Sequence, residues 1–173
     1  MGGRVLVPRQ VLDLDDDPDG LSPTSLLSEI GRSERYWAAR SGDQEGMERW
    51  NRLRALRPRT DIEVVDLEDA EVGIFAEVSS GGFARSLGLA APLGAGEAAV
   101  IAIAETRRWD AALDDFAART VLRHRNPGIQ IRTSRDLLRQ AVVARSLLDS
   151  AEAQSVYGDM LVEGYKGPAR LRD

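Results

Sequence analysis

Residues 93–119 read LGAGEAAVIAIAETRRWDAALDDFAAR, and this stretch decides the fold. Its opening, Pro92-Leu93-Gly94-Ala95-Gly96, has the composition of a tight loop. From Glu97 through Ala104 the chain is alanine-rich and apolar on nearly every side, the pattern of a helix buried all round. Ala111–Asp114 (AALD) then reads as a short strand, and Asp115–Arg125 as a second helix. A buried helix followed by a strand and another helix is the rhythm of an α/β protein, in which a parallel sheet is covered by helices on both faces.

Working outward from this stretch, the same rhythm continues in both directions. On the C-terminal side, Ile129–Arg132 (IQIR) reads as a strand, Ser134–Leu148 as a helix and Ser150–Gly164 as the last helix. On the N-terminal side, Ile62–Leu67 reads as a strand, and residues 68–88 as helix with a break at Gly81-Gly82. Met47, Trp50, Leu53 and Leu56 recur at helical spacing before Pro58 closes that segment. Leu26, Leu27 and Ile30 mark a helix opened by Thr24 or Ser25 as N-cap. Asp13–Gly20 (DLDDDPDG) is an acidic, turn-rich loop, and Arg4–Val7 (RVLV), ended by Pro8, is a buried strand. The expected fold class is a three-layer α/β/α domain with a parallel sheet. Residues 1–173 are expected to form a single domain, since no repeat or long linker divides them.

Composition narrows the chemistry. With 173 residues, 43% hydrophobic and 29% charged, the chain can bury a sizeable core. It has no cysteine, which excludes disulfides, thiolate nucleophiles and Cys-ligated zinc or iron–sulfur sites. The single histidine, His124, lies in the basic run Arg123-His124-Arg125 at a helix end, where it is expected to offset the helix dipole in solvent. A net charge of −5 provides no global pull toward nucleic acid, so any such role needs a local basic strip or metal-neutralised carboxylates. The apolar run Ala98–Ala104 is far shorter than the roughly 20 residues that span a bilayer. No signal-peptide core occupies the N-terminus, so the expectation is a cytoplasmic protein with no membrane contact.

The candidate chemistry is carboxylate chemistry. Functional groups of open α/β sheets gather at the carboxyl ends of strands, and the strand at 111–114 ends in Asp114-Asp115. Glu97 stands where the apolar helix begins, behind glycines that let backbone or ligand approach closely. Each residue also has a plain structural reading: Glu97 as a first-turn dipole partner, Asp115 as an N-cap, Asp114 as a strand-end turn residue. Together they form an oxygen-rich set that suits a hard divalent cation. Arg132 and Arg135, beside a strand end, are placed for a substrate backbone, with Thr133 in the turn between them. The arginines around residues 49–59 are interleaved with Glu45 and Glu48 and read equally as a solvated helix face. Trp37, Trp50 and Trp109 read as packing residues.

The Gly-x-Gly-Glu-Ala opening, the alanine-rich helix, the strand ending in Asp-Asp and the Ala-Arg that follows resemble the C-terminal half of PIN-like domains. The likeness continues through IQIRTSRDLL, the family's next strand, Thr turn and helix, to Tyr165-Lys166-Gly167-Pro168, where its helical tail usually ends. The resemblance implies a metal-dependent endoribonuclease, often the toxin of a toxin–antitoxin pair, with an acidic cluster holding Mg²⁺ or Mn²⁺. It implies metal-ligand roles for Glu97 and Asp114, with Asp115 a ligand or a partner behind one. Two departures accompany it. RVLVPRQVLD matches the family's second strand, so the usual first strand and its aspartate are expected to be absent. Where the family commonly carries a glutamate after such a valine as Val11, this chain has Leu14 flanked by Asp13 and Asp15; either aspartate could substitute, Asp13 lying nearer the turn of Val11 and being the candidate ligand, while the plain reading of both is a solvated acidic turn. The implied partners are RNA, an antitoxin protein and a further copy of the chain. The competing readings are an inactive PIN-like domain that acts as a protein-binding module, and an unrelated α/β enzyme that uses acidic residues.

Overall fold

The computed structural model describes residues 5–8, 62–143, 148–162 and 165–171. Along these residues run strand β1 (Val5–Pro8), strand β2 (Ile62–Val65), helix α1 (Asp69–Val78), helix α2 (Gly81–Ser86), helix α3 (Ala95–Arg107), strand β3 (Ala111–Ala112), helix α4 (Phe116–Arg125), strand β4 (Ile131–Arg132), helix α5 (Ser134–Val143) and helix α6 (Ser150–Val162). The described residues are thus mixed α/β, with six helices and short parallel strands. β1 pairs with β2 in parallel, Val5 opposite Ile62, and β3 pairs with β4 in parallel, Ala111 opposite Ile131. They form two separate two-stranded sheets. Among the described residues, no helix is long and apolar enough to cross a membrane.

The alanine-rich stretch is the buried helix its sequence predicts. Ala98, Ala99, Ile101, Ala102, Ile103 and Ala104 are all buried in α3. The small side chains let neighbours close in from several directions at once, and α1, α4, β1 and β3 all pack on this helix. Ile101 sits at the centre with Val78 of α1, Val121 and Leu122 of α4, and Leu113 beyond β3. Burying each side chain of this size is worth about 1.5–3 kcal/mol. α3 ends where Arg108 enters the left-handed region at φ 57°, a capping position usually taken by glycine.

A second, smaller cluster forms around Ala153 and Tyr157 of α6 and Leu171, with Leu138 and Val142 of α5 packed against it. The Tyr157 hydroxyl donates to the Pro168 carbonyl at 3.0 Å. The Tyr157 and Tyr165 rings meet edge to face at 5.8 Å.

Element limits differ from the sequence reading in ways that hydrogen bonding explains. The break between α1 and α2 falls at Ser79-Ser80, because the Ser80 hydroxyl accepts the Phe83 N–H at 3.1 Å and caps α2; Gly81 and Gly82 lie inside that helix. The strand expected over 111–114 stops at Ala112. Leu113 still donates to the Arg132 carbonyl at 2.9 Å, but the two aspartates beyond it turn to serve helix starts. The strand expected from Ile129 begins at Ile131, since the Ile129 N–H closes a turn onto the Asn126 carbonyl at 3.2 Å. The expected helices and acidic loop between residues 9 and 61, with Trp37, Trp50 and the arginines of 49–59, lie outside the described residues.

Candidate functional site

Glu97 is the third residue of α3, whose N-cap is Gly94. It is half-buried, and among the described residues its carboxylate has no hydrogen bond or ion pair. It lines a pocket of about 280 Å³ whose wall is the loop from Leu89 to Gly94 and whose far side carries Asp115 and Ala117. The peptide dipoles at the start of α3 favour a negative charge there.

Asp115 is the N-cap of α4: its Oδ1 accepts the Ala118 N–H at 2.8 Å. Among the described residues its second oxygen is free of protein partners. It is exposed and shares the Glu97 pocket. So two acidic residues, each at the N-terminus of a different helix, line one opening. The structural reading of Asp115 as a cap and its candidate role in the pocket are compatible, because capping occupies only one of its oxygens.

Asp114 points its chemistry elsewhere. Its Oδ1 accepts the Ser134 N–H at 2.8 Å and its Oδ2 accepts the Ser134 hydroxyl. Its backbone carbonyl accepts from the Arg119 guanidinium. Asp114 thereby ties the end of β3 to the start of α5, and it is not among the residues lining the Glu97 pocket. The remaining candidate ligand, Asp13, lies outside the described residues. Among the described residues, no three acidic or histidine side chains are grouped as a metal ion would require.

The three candidate substrate contacts are held by hydrogen bonds within the protein. Arg132 donates to Gln130 at 2.6 Å and to Gln140 at 3.2 Å. Thr133 caps α5 in a reciprocal arrangement: its N–H and hydroxyl donate to the Asp136 carboxylate at 2.9 and 2.7 Å, and its hydroxyl accepts the Asp136 N–H at 3.2 Å. These Thr133 bonds, helped by the nearby Arg135 and Arg139 charges, hold the Asp136 carboxyl below its ordinary range. Arg135 donates its Nε to the Leu171 carbonyl at 3.2 Å and braces the C-terminal turn.

The strongest ionic geometry lies away from the pocket, at residues the sequence reading passed over. Glu71 is fully buried and accepts a forked pair of bonds from Arg107, Nε to Oε1 at 2.6 Å and a terminal nitrogen to Oε2 at 2.9 Å. Arg107 also reaches the Asp66 carbonyl at 3.0 Å and packs over the Trp109 ring at 5.1 Å. The Arg107 hydrogen bond holds the Glu71 carboxyl below its ordinary range, and Glu71 in turn raises Arg107. Arg125 makes a similar fork to Glu105, at 2.6 and 3.1 Å, and reaches Glu77 at 2.9 Å. The available signal was indirect: Arg107 closes the apolar helix α3 and needs a partner, and Glu71 in the first turn of α1 supplies it.

Comparison of the chain with protein-family models, with curated proteins and with solved structures finds no match.

Proposed function

We propose that this protein is a Mg²⁺- or Mn²⁺-dependent endoribonuclease with a PIN-like three-layer arrangement, working in the cytoplasm and held in check by an antitoxin-type protein. The observation that carries the reading is the pocket shared by Glu97 and Asp115, two carboxylates at neighbouring helix starts with an oxygen of each uncommitted. The donor set suits Mg²⁺, which is typically held by one or two carboxylates and completes its shell with waters and substrate phosphate. Held there by Glu97 and Asp115, a divalent ion would supply Lewis acidity toward water and toward the phosphate charge. Glu97 and Asp115 then do the holding. Glu97 is set by the first turn of the rigid α3, and Asp115 is oriented by the Ala118 N–H on its other oxygen. Asp114 ties the end of β3 to the start of α5 by binding Ser134, so in this reading it positions the site and does not ligate the ion.

A second reading has its own support. Both Asp114 oxygens are taken by Ser134, which leaves only two carboxylates on the pocket among the described residues. That favours an inactive PIN-like domain acting through protein contacts.

Calorimetric titration with Mn²⁺ and cleavage of a mixed RNA in Mn²⁺ separate the two. The nuclease reading expects saturable binding, weakened at least tenfold by Glu97→Gln, and metal-dependent cleavage abolished by the same change. Asp115→Asn keeps the cap, because asparagine caps as well as aspartate, and is expected to weaken Mn²⁺ without unfolding the chain. Mn²⁺ binding unchanged in Glu97→Gln defeats the site. Mn²⁺ binding without any cleavage moves the function to the binding module.

A further inference from the structure

The two strand pairs leave an opening between them. Among the described residues, β1 is hydrogen-bonded only to β2, and β3 only to β4. α3 packs against both β1 and β3 and forms a floor beneath them. Between the pairs is an apolar slot of about 350 Å³, walled by Val5 and Leu6 of β1, floored by Val100 and Ile103 of α3, and closed by Ala111 and Ala112 of β3. Asp110 and Arg132 also stand on its lining, which is otherwise hydrocarbon. Val5, Leu6, Trp109 and Leu137 are 54%, 38%, 38% and 42% exposed, and all four border this slot. Scattered apolar exposure is ordinary, but exposure gathered on one concavity marks an interaction site.

The backbone of the rim says what belongs there. The Ala111 and Leu113 N–H groups point to β4, donating to the Gln130 and Arg132 carbonyls at 3.0 and 2.9 Å. Alternation along a parallel strand therefore turns the Ala112 N–H and carbonyl away from β4, toward the slot. β1 likewise has one edge on β2 and the other unpaired among the described residues. A rounded apolar ligand covers the hydrocarbon but leaves these groups without partners. A helix spends its own backbone groups internally and offers none sideways. An extended chain offers N–H and carbonyl groups to both sides at once.

We propose that the slot is a docking site for one extended strand of a partner protein, about four residues long in its paired part, with apolar side chains at alternate positions. Seated there, it hydrogen-bonds to both lips and joins the two pairs into one five-stranded sheet, the β-augmentation mode of recognition. Isolated two-stranded pairs are marginal, and a merged sheet is not. A second copy of this chain is a poorer occupant, because each of its described strands is already engaged on one edge and would have to leave its partner. The inference is independent of any nuclease activity.

The test uses the full chain with Trp37→Phe and Trp50→Phe, so that Trp109 at the slot is the sole tryptophan. The probe is a synthetic acetylated hexapeptide of alternating valine and threonine. The expected result is a saturable shift of Trp109 emission, weakened at least tenfold when a proline replaces the central valine, which removes a backbone donor from the peptide and leaves the protein untouched. Ala112→Pro removes a donor from the lip without touching the β3–β4 bonds, and is expected to weaken binding similarly while leaving the melting temperature near that of the parent. Equal affinity for the proline peptide overturns the proposal. So does the absence of any saturable shift, whether because a second copy, seen by sedimentation, covers Trp109 or because another segment of the chain already shields it.

Discussion

Replacing Glu71 by glutamine tests whether α1 and α3 are held together by one buried ion pair. The substitution keeps size and shape and removes only the charge and one acceptor. In the parent, Oε1 and Oε2 accept from Arg107 at 2.6 and 2.9 Å, and Oε2 also accepts the Glu68 N–H at 2.8 Å. Glutamine can satisfy one side, but its amide then sets N–H against N–H on the other. Removing one partner from a buried pair typically costs about 3–5 kcal/mol. Arg107 is partly exposed and keeps Glu68, 3.2 Å away, and the Asp66 carbonyl. Glu68 is largely exposed, and such surface pairs return only about 0–1 kcal/mol. The expected net loss is about 2–4 kcal/mol at pH 7. For a chain of 173 residues, a 3 kcal/mol loss lowers the melting temperature by roughly 6–12 °C. The pH dependence follows from the lowered Glu71 carboxyl. A group depressed on folding contributes its full stability above its unfolded value, near 4.3, and loses it as pH falls through the folded value. The gap between parent and Glu71→Gln is therefore wide at pH 7 and narrows steadily below about pH 4. Urea unfolding followed by circular dichroism at a series of pH values measures both. A loss under about 0.5 kcal/mol at pH 7, the range of ordinary surface substitutions, or a gap that does not narrow in acid, refutes the assignment of Glu71 as a buried, ionised anchor.

Two further outcomes follow from local geometry. Asp115→Ala removes the α4 cap and is expected to lower stability by about 1 kcal/mol, whereas Asp115→Asn changes it little, as urea midpoints will register; equal losses would show that charge and not capping matters there. A Cβ at Gly167 would lie 2.8 Å from the Tyr165 ring and meet the Tyr157 hydroxyl, which is fixed on Pro168. Gly167→Ala is therefore expected to cost about 1–3 kcal/mol by overpacking, and a thermal melt unchanged from the parent would refute the tight turn.

What the sequence determined by itself was the part governed by local pattern. The run from Ala98 to Ala104 has no polar residue to place in water, so its burial follows from composition alone. An N-cap was one of the two sequence readings of Asp115, and the structure puts it at that cap, with α4 beginning one residue later than read. Strands read at 4–7, 62–67, 111–114 and 129–132 each have a counterpart in the structure, at 5–8, 62–65, 111–112 and 131–132, so pattern located them but did not set their ends. Sequence grouped Glu97 with both Asp114 and Asp115, as a helix start beside a strand end, and favoured Asp114; the structure brings only Asp115 to the Glu97 pocket. Tertiary structure decided the rest, because it depends on partners far along the chain. Glu71 reads as an ordinary first-turn acid until Arg107, 36 residues on, folds over it. Asp114 looks like its neighbour until Ser134 arrives, 20 residues later, and takes both its oxygens. Trp109 reads as a packing residue, and it packs under Arg107 while standing 38% exposed beside the slot between β1 and β3. Local propensity fixes which residues become helix or strand; which carboxylates are anchored and which are left facing a pocket is set by long-range contacts that no window of sequence contains.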